Sequence, residues 1–139
     1  MAKVRSEEGA PSDIDEMSSE SLTEDPTMTG FQKLQGTIAY MSPEQIKKAL
    51  DIDGRTDIYS LGVVLYEALT GVKPSLGDTM DKIKASTLND IPIIPSEIST
   101  TPISQVLDDI VMQCLAKDAN KRMQSVGELI RLLKEGLGV

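Results

Sequence analysis

The side chains that could do chemistry in this sequence are few, and the missing types narrow the choice first. There is no histidine and a single cysteine, which excludes a disulfide framework, a His-containing zinc site and any scheme using an imidazole to move protons. Cys114 lies in a largely apolar run and reads as core, with no histidine to turn it into a nucleophile. Asp108 and Asp109 are adjacent, and neighbours on a helix do not face one another, so they read as solvated rather than as an acid–base pair.

Charge narrows the partners. The formal net charge is -8, and residues 1–30 hold eight acids against two bases, leaving only -2 for the other 109 residues. Binding to nucleic acid or an anionic membrane needs clustered Lys and Arg, which this balance argues against. With no run of 18 apolar residues and a polar, acidic start, neither a membrane span nor a secretory signal is expected, and the cytoplasm is the expected compartment.

The composition, 40% hydrophobic and 26% charged, is that of one globular domain. Residues 1–30 are rich in Ser, Thr, Asp, Glu and Pro and have little to bury, so a loop or tail is expected there. From Phe31 onward four helices and a weaker fifth are predicted. The first opens at Ser42-Pro43-Glu44-Gln45, where Ser can cap, Pro needs no N–H and Gln holds the capping-box position, and it ends near Leu50. The second runs from about Asp57 to Thr70, capped by Thr56 or Asp57 and stopped at Gly71. Ile58, Leu61, Val63, Val64, Leu65 and Leu69, with Tyr59 and Tyr66, leave it scarcely any polar face, so it belongs inside a larger core.

The weaker helix spans roughly Thr79 to Thr87, and Asn89 to Pro102, with prolines at 92, 95 and 102, is expected to be irregular or extended. Ser104 to Ala116 places Val106, Leu107, Ile110, Val111, Cys114 and Leu115 on one stripe. The last helix uses Ser-Val-Gly-Glu from Ser125 as a capping box before Leu129, Ile130, Leu132 and Leu133. No repeat and no strand pattern is evident, so the expected class is mainly α.

Three segments, in this order and spacing, resemble the C-terminal lobe of Ser/Thr protein kinases, most closely the bacterial kinases of eukaryotic (Hanks) type. Gly-Thr-Ile-Ala-Tyr-Met-Ser-Pro-Glu-Gln, 36–45, resembles the end of an activation segment with its Ala-Pro-Glu motif written Ser42-Pro43-Glu44. Thr56 to Gly71 resembles the buried central helix of that lobe, and Leu107 to Ser125 its last conserved block. The resemblance implies a helical kinase C-lobe over residues 36–139, without the N-lobe and catalytic loop. Residues 1–35 would be an acidic, disordered activation-loop-like segment, since Met1-Ala2-Lys3-Val4 looks like the sequence that follows Asp-Phe-Gly.

Site roles follow from the same resemblance. Gly36, Thr37 and Tyr40 would belong to the substrate platform, with Thr37 bonded to the catalytic-loop Asp and Lys. Glu44 and Arg122 would form a buried structural ion pair. Asp57 would cap its helix and hold the catalytic-loop backbone. Thr27 and Thr29 would be candidate phosphosites, where a phosphate adds about -1.5 to -2 of charge. Phosphoryl transfer also needs a Gly-rich cover, a strand Lys, a catalytic Asp and magnesium-holding Asp and Asn. The sequence contains no Gly-x-Gly-x-x-Gly, Val-Ala-x-Lys, His-Arg-Asp or Asp-Phe-Gly. No catalytic residue, cofactor-binding residue or metal ligand is therefore expected here, and ATP and magnesium are expected only for a full-length parent kinase. The expected partners are the remainder of such a kinase or another kinase or protein substrate. In the family the central helix packs against one encoded before Asp-Phe-Gly, so exposed apolar surface and self-association are also expected.

Overall fold

The computed structural model describes residues 36–139, and among these no strand occurs and every regular element is a helix. The centre is α2, Arg55–Thr70. Thr56, Ile58, Tyr59, Gly62, Val63 and Tyr66 are buried along it. Gly71 ends it in the left-handed region at φ 82°, its N–H bonded to Glu67 O at 2.8 Å, a conformation that costs glycine nothing and other residues about 1–2 kcal/mol.

Two apolar clusters flank α2. One gathers Ile58, Ile110, Cys114, Met123 and Leu129, and the other Tyr59, Val63, Tyr66, Val111 and Leu115. Both draw on α5, Gln105–Cys114, and the first is closed by α6, Val126–Leu137. The remaining elements are α1, Pro43–Ile46, α3, Met80–Asn89, α4, Pro95–Ile98, and a 3-10 turn at Ala119–Lys121. The hydroxyls of Ser42 and Ser125, both predicted to cap, each accept a backbone N–H of the first turn, and Thr79 and Ser104, which the sequence reading did not single out as caps, do the same. At Ser42 the capping box is complete, with Pro43 at the first helical position. Among the described residues no helix is long and apolar enough to cross a membrane.

The structure corrects several expectations. Helix α1 ends at Ile46 rather than near Leu50, because Lys48 turns left-handed at φ 57°. Ala49 N–H then bonds Glu44 O and Lys48 N–H bonds Gln45 O, the paired closure of a Schellman end. Helix α2 starts two residues early. Asp53 accepts the N–H of Arg55 at 3.0 Å and Gly54 is the N-cap, so Asp57 lies in the first turn, exposed, and caps nothing. The stretch 89–102 is not wholly irregular, since Pro95 opens α4, where its fixed φ suits a first helical position. Asp108 is buried rather than solvated and accepts the N–H of Ser96 at 3.0 Å, tying α4 to α5, while Asp109 is exposed. Val106 and Ile130, placed on core stripes by spacing, are about half exposed.

Gly62 sets how closely α2 approaches α5. A Cβ built there would lie 2.7 Å from the Cβ of Cys114 and 3.0 Å from Leu115 Cδ2. Leu115 Cδ2 ends a side chain that can shift, but Cys114 Cβ is fixed to its backbone, so relief requires the helices to separate. Gly62→Ala is expected to lower stability by about 1–3 kcal/mol, although alanine is the better helix former by roughly 1 kcal/mol. Urea denaturation measures this, and an unchanged or raised midpoint would show that the helices can part at no cost.

Candidate functional site

The most completely satisfied polar group in the described chain is Arg122. It follows the 3-10 turn Ala119–Lys121, which Asp118 caps by accepting the N–H of Asn120, and its side chain has no solvent exposure. A buried guanidinium is tolerable only with its charge matched and its N–H groups bonded. Nη1 and Nη2 donate to Glu44 Oε2 and Oε1 at 2.7 and 3.0 Å, a bidentate fork. Nε donates to Ala116 O at 2.9 Å, and the remaining donors reach Arg55 O at 2.8 Å and Lys117 O at 3.2 Å. Every one of its five N–H groups therefore has a partner. The ring of Tyr59 lies 5.2 Å from its Cζ, within cation–π range.

Glu44 is presented by the capping box, which fixes the first turn of α1. Its Oε2 also accepts from the hydroxyl of Thr56 at 2.7 Å, and Thr56 lies 3.2 Å from the buried hydroxyl of Ser42. Thr56 thus serves the carboxylate instead of capping α2. Burial pushes the Glu44 carboxyl up, but the hydrogen bonds from Arg122 and Thr56 and the Arg122 charge outweigh it, and its pKa is lowered from 4.5. On the surface beside this pair Arg55 joins Asp53 to Asn120, Gln124 and Ala119 O, fastening the start of α2 to the 3-10 turn.

The second assembly is the segment before α1. Residues 36–38 are helical, and a turn follows in which Tyr40 N–H bonds Thr37 O and Met41 N–H bonds Ile38 O. Thr37 is exposed and Ala39 is buried. Tyr40 is held to α2 twice: Ser60 Oγ donates to its carbonyl at 2.7 Å, and its hydroxyl donates to Glu67 Oε1. The other oxygen of Glu67 accepts from Lys73 Nζ at 3.1 Å, and the ammonium sits 5.6 Å from the Tyr40 ring centroid. The bond to Glu67, burial and the Glu67 charge raise the Tyr40 pKa, and the same bond, with Lys73, lowers that of Glu67.

Of the sequence-predicted residues, Glu44 and Arg122 meet across 78 residues of chain, and Gly36, Thr37 and Tyr40 share one segment. Asp57 stands apart on α2, beside Asp53, Gly54, Gln124 and Val126. Thr27 and Thr29 lie outside the described residues. Sequence reasoning missed the hydroxyls of Ser42 and Thr56, and it missed Glu67 with Lys73. The signal for Glu67 was present: Ser60 and Glu67 are polar residues seven apart in an otherwise apolar helix, hence on one face. Among the described residues no group of three or more His, Cys, Asp or Glu could hold a metal. Cys114 is fully buried, and burial raises its thiol pKa to about 11, so it is a packed apolar group.

Glu44→Gln would leave the buried guanidinium without a counter-charge, and an expected cost of about 3–5 kcal/mol follows. The folded-state pKa of Glu44 lies below its ordinary 4.5, so its charge stabilises the fold above that pH and the contribution is lost as pH falls through the lowered value. Urea midpoints followed from pH 7 to pH 3 should therefore fall less steeply for the Gln variant, and equal acid slopes would remove Glu44 from the acid response.

A family model described as the protein kinase domain matches residues 16–131. The serine/threonine-protein kinase PknB of Mycobacterium leprae is 37% identical over 109 residues, covering 78% of this chain and 17% of that protein. PknB of Mycobacterium tuberculosis is 40% identical over 94 residues, covering 68% of this chain and 15% of that protein. A probable serine/threonine-protein kinase of Clostridium acetobutylicum is 36% identical over 104 residues, with 75% and 16% covered. The chain thus spans 15% to 17% of the length of these curated relatives. Among solved structures, the twitchin kinase region of C. elegans superposes with a TM-score of 0.62 at 24% identity, over 70% of this chain and 17% of that one, and so shares the fold. With 116 of its residues matched by the family model, the chain belongs to the protein kinase domain family, and its helices have the architecture of that fold's C-terminal lobe.

Proposed function

We propose that this chain is the activation-segment and helical-lobe portion of a serine/threonine protein kinase whose parent activity is ATP-dependent phosphorylation of Ser or Thr in proteins, and that alone it transfers no phosphate. The observation that carries this reading is the Glu44–Arg122 fork, which fastens the motif Ser42-Pro43-Glu44 to the chain after α5, while Ser60 and Glu67 hold Tyr40, and with it the segment bearing Gly36 and Thr37, to α2. Such a frame can position a polypeptide substrate. It supplies no group to cradle phosphates or hold magnesium, because the motifs for those tasks do not occur in the sequence. ATP and magnesium belong to the remainder of the parent kinase, which on this reading is also the first partner of this lobe. Thr27 and Thr29 are the proposed acceptors of activating phosphate, and the cytoplasm, where ATP is available, is the proposed compartment.

Adding millimolar Mg-ATP to the purified chain is expected to leave its thermal unfolding midpoint unchanged, because a ligand raises that midpoint only by binding the folded state. A concentration-dependent rise would overturn the proposed incompetence.

A second reading is favoured by one observation. On α2 the side opposite the buried face carries Leu61 at 39% and Val64 at 51% exposure, with Ala68 exposed one turn on. A free-standing lobe with this apolar surface would act as a kinase-derived protein-binding or regulatory pseudokinase module, or would self-associate. Light scattering on the wild type and on Leu61→Glu/Val64→Glu separates the cases. Concentration-dependent mass lost in the variant supports the second reading, and a wild type that stays monomeric and captures no kinase in a pull-down removes it.

A further inference from the structure

We propose that Lys73 sets the charge preference of the platform around Tyr40, screening Glu67 so that the site accepts acidic side chains of a polypeptide substrate and disfavours basic ones. The inference rests on reading Gly36, Thr37 and Tyr40 as a substrate platform. It adds two residues that the sequence reading did not assign.

The geometry runs through Glu67. Without its neighbours, a one-third exposed carboxylate beside the platform would attract Lys or Arg from a passing peptide. Both of its oxygens are engaged, Oε1 by the Tyr40 hydroxyl and Oε2 by Lys73 at 3.1 Å. Lys73 is held a second time by the Tyr40 ring, so its ammonium stays over the platform instead of sweeping through solvent. An ammonium has three donors, and the bond to Glu67 uses one. The two that remain, on a group 32% exposed, are offered to an incoming carboxylate. A cation arriving there meets Lys73 before it meets Glu67. Tyr40 is itself fixed, its carbonyl bonded to Ser60 and its hydroxyl to Glu67, so the charged pair and the platform keep a constant spacing.

The test uses the whole chain, labelled with nitrogen-15, and alanine-based peptides carrying one serine. At each position from three before to three after the serine, a glutamate or a lysine is placed in turn, and binding is read from amide shifts. At one or more positions the glutamate peptide is expected to shift Tyr40 and Lys73 and to bind about two- to fivefold more tightly than its lysine counterpart, the scale of a partly exposed charge pair. Lys73→Met frees Oε2 of Glu67, and the preference should reverse at those positions. Lys73→Met/Glu67→Gln should abolish it. Both side chains are about two-thirds buried, so circular dichroism and the amide spectrum of each variant are required to match the wild type before binding is compared. Peptides that shift Gly36 and Thr37 with a glutamate-to-lysine ratio unchanged by Lys73→Met would overturn this inference and leave the platform standing. Peptides that leave Gly36 and Thr37 unmoved would overturn both.

Discussion

A guanidinium placed out of reach of water dictates much of the arrangement around it. Arg122 has to find a counter-charge and an acceptor for each of its N–H groups, and it finds them on three separate stretches: the carboxylate on α1, a carbonyl at the start of α2, and two carbonyls in the turn after α5. The side chain therefore fixes the relative places of segments with little apolar area of their own. Helix α1 is four residues long, far below the length at which a helix is stable alone, and its position depends on the cap at Ser42 and this fork.

Around that polar joint the energetics are apolar. Helix α2 is buried along one side in two clusters, brought close to α5 by the absence of a side chain at Gly62. Tyr59 links the two regimes, since its ring packs in the core and stacks near Arg122. Its hydroxyl is buried without a hydrogen-bond partner meeting normal geometry, although the hydroxyls of Ser75 and Thr87 are close enough to oppose the rise that burial causes in its pKa. The same helix carries the Tyr40 assembly on a third side through Ser60 and Glu67. The core, the ion-pair frame and the Tyr40 assembly are three faces of one element.

The readable parts of this sequence were those governed by local rules. The caps at Ser42 and Ser125, the proline at a first helical position and the glycine stop at 71 depend on neighbours within four residues, and each is where spacing put it. Kinase membership was legible from three motifs in fixed order. What failed depended on distant partners. Asp57 was a sound cap candidate until Asp53 bonded the N–H of Arg55 and started the helix earlier. Asp108 was read as solvated because nothing local announces the free N–H of Ser96, twelve residues upstream, that it satisfies. Val106 and Ile130 fit core stripes by period, yet period alone does not say whether a neighbouring element covers the position. Lys73 gave no local sign at all, because its role comes from a fold that brings the helix end back over Tyr40.

The separation of 78 residues between Glu44 and Arg122 has a consequence for biosynthesis. Synthesis runs from the N-terminus at roughly 5–20 residues per second, so the carboxylate emerges from the ribosome seconds before the guanidinium exists. Throughout that interval Glu44 has Thr56 but no counter-charge, and the central helix waits without α5. The joint that organises these helices thus closes late, only after residue 122 has followed α1, α2 and α5 out of the ribosome.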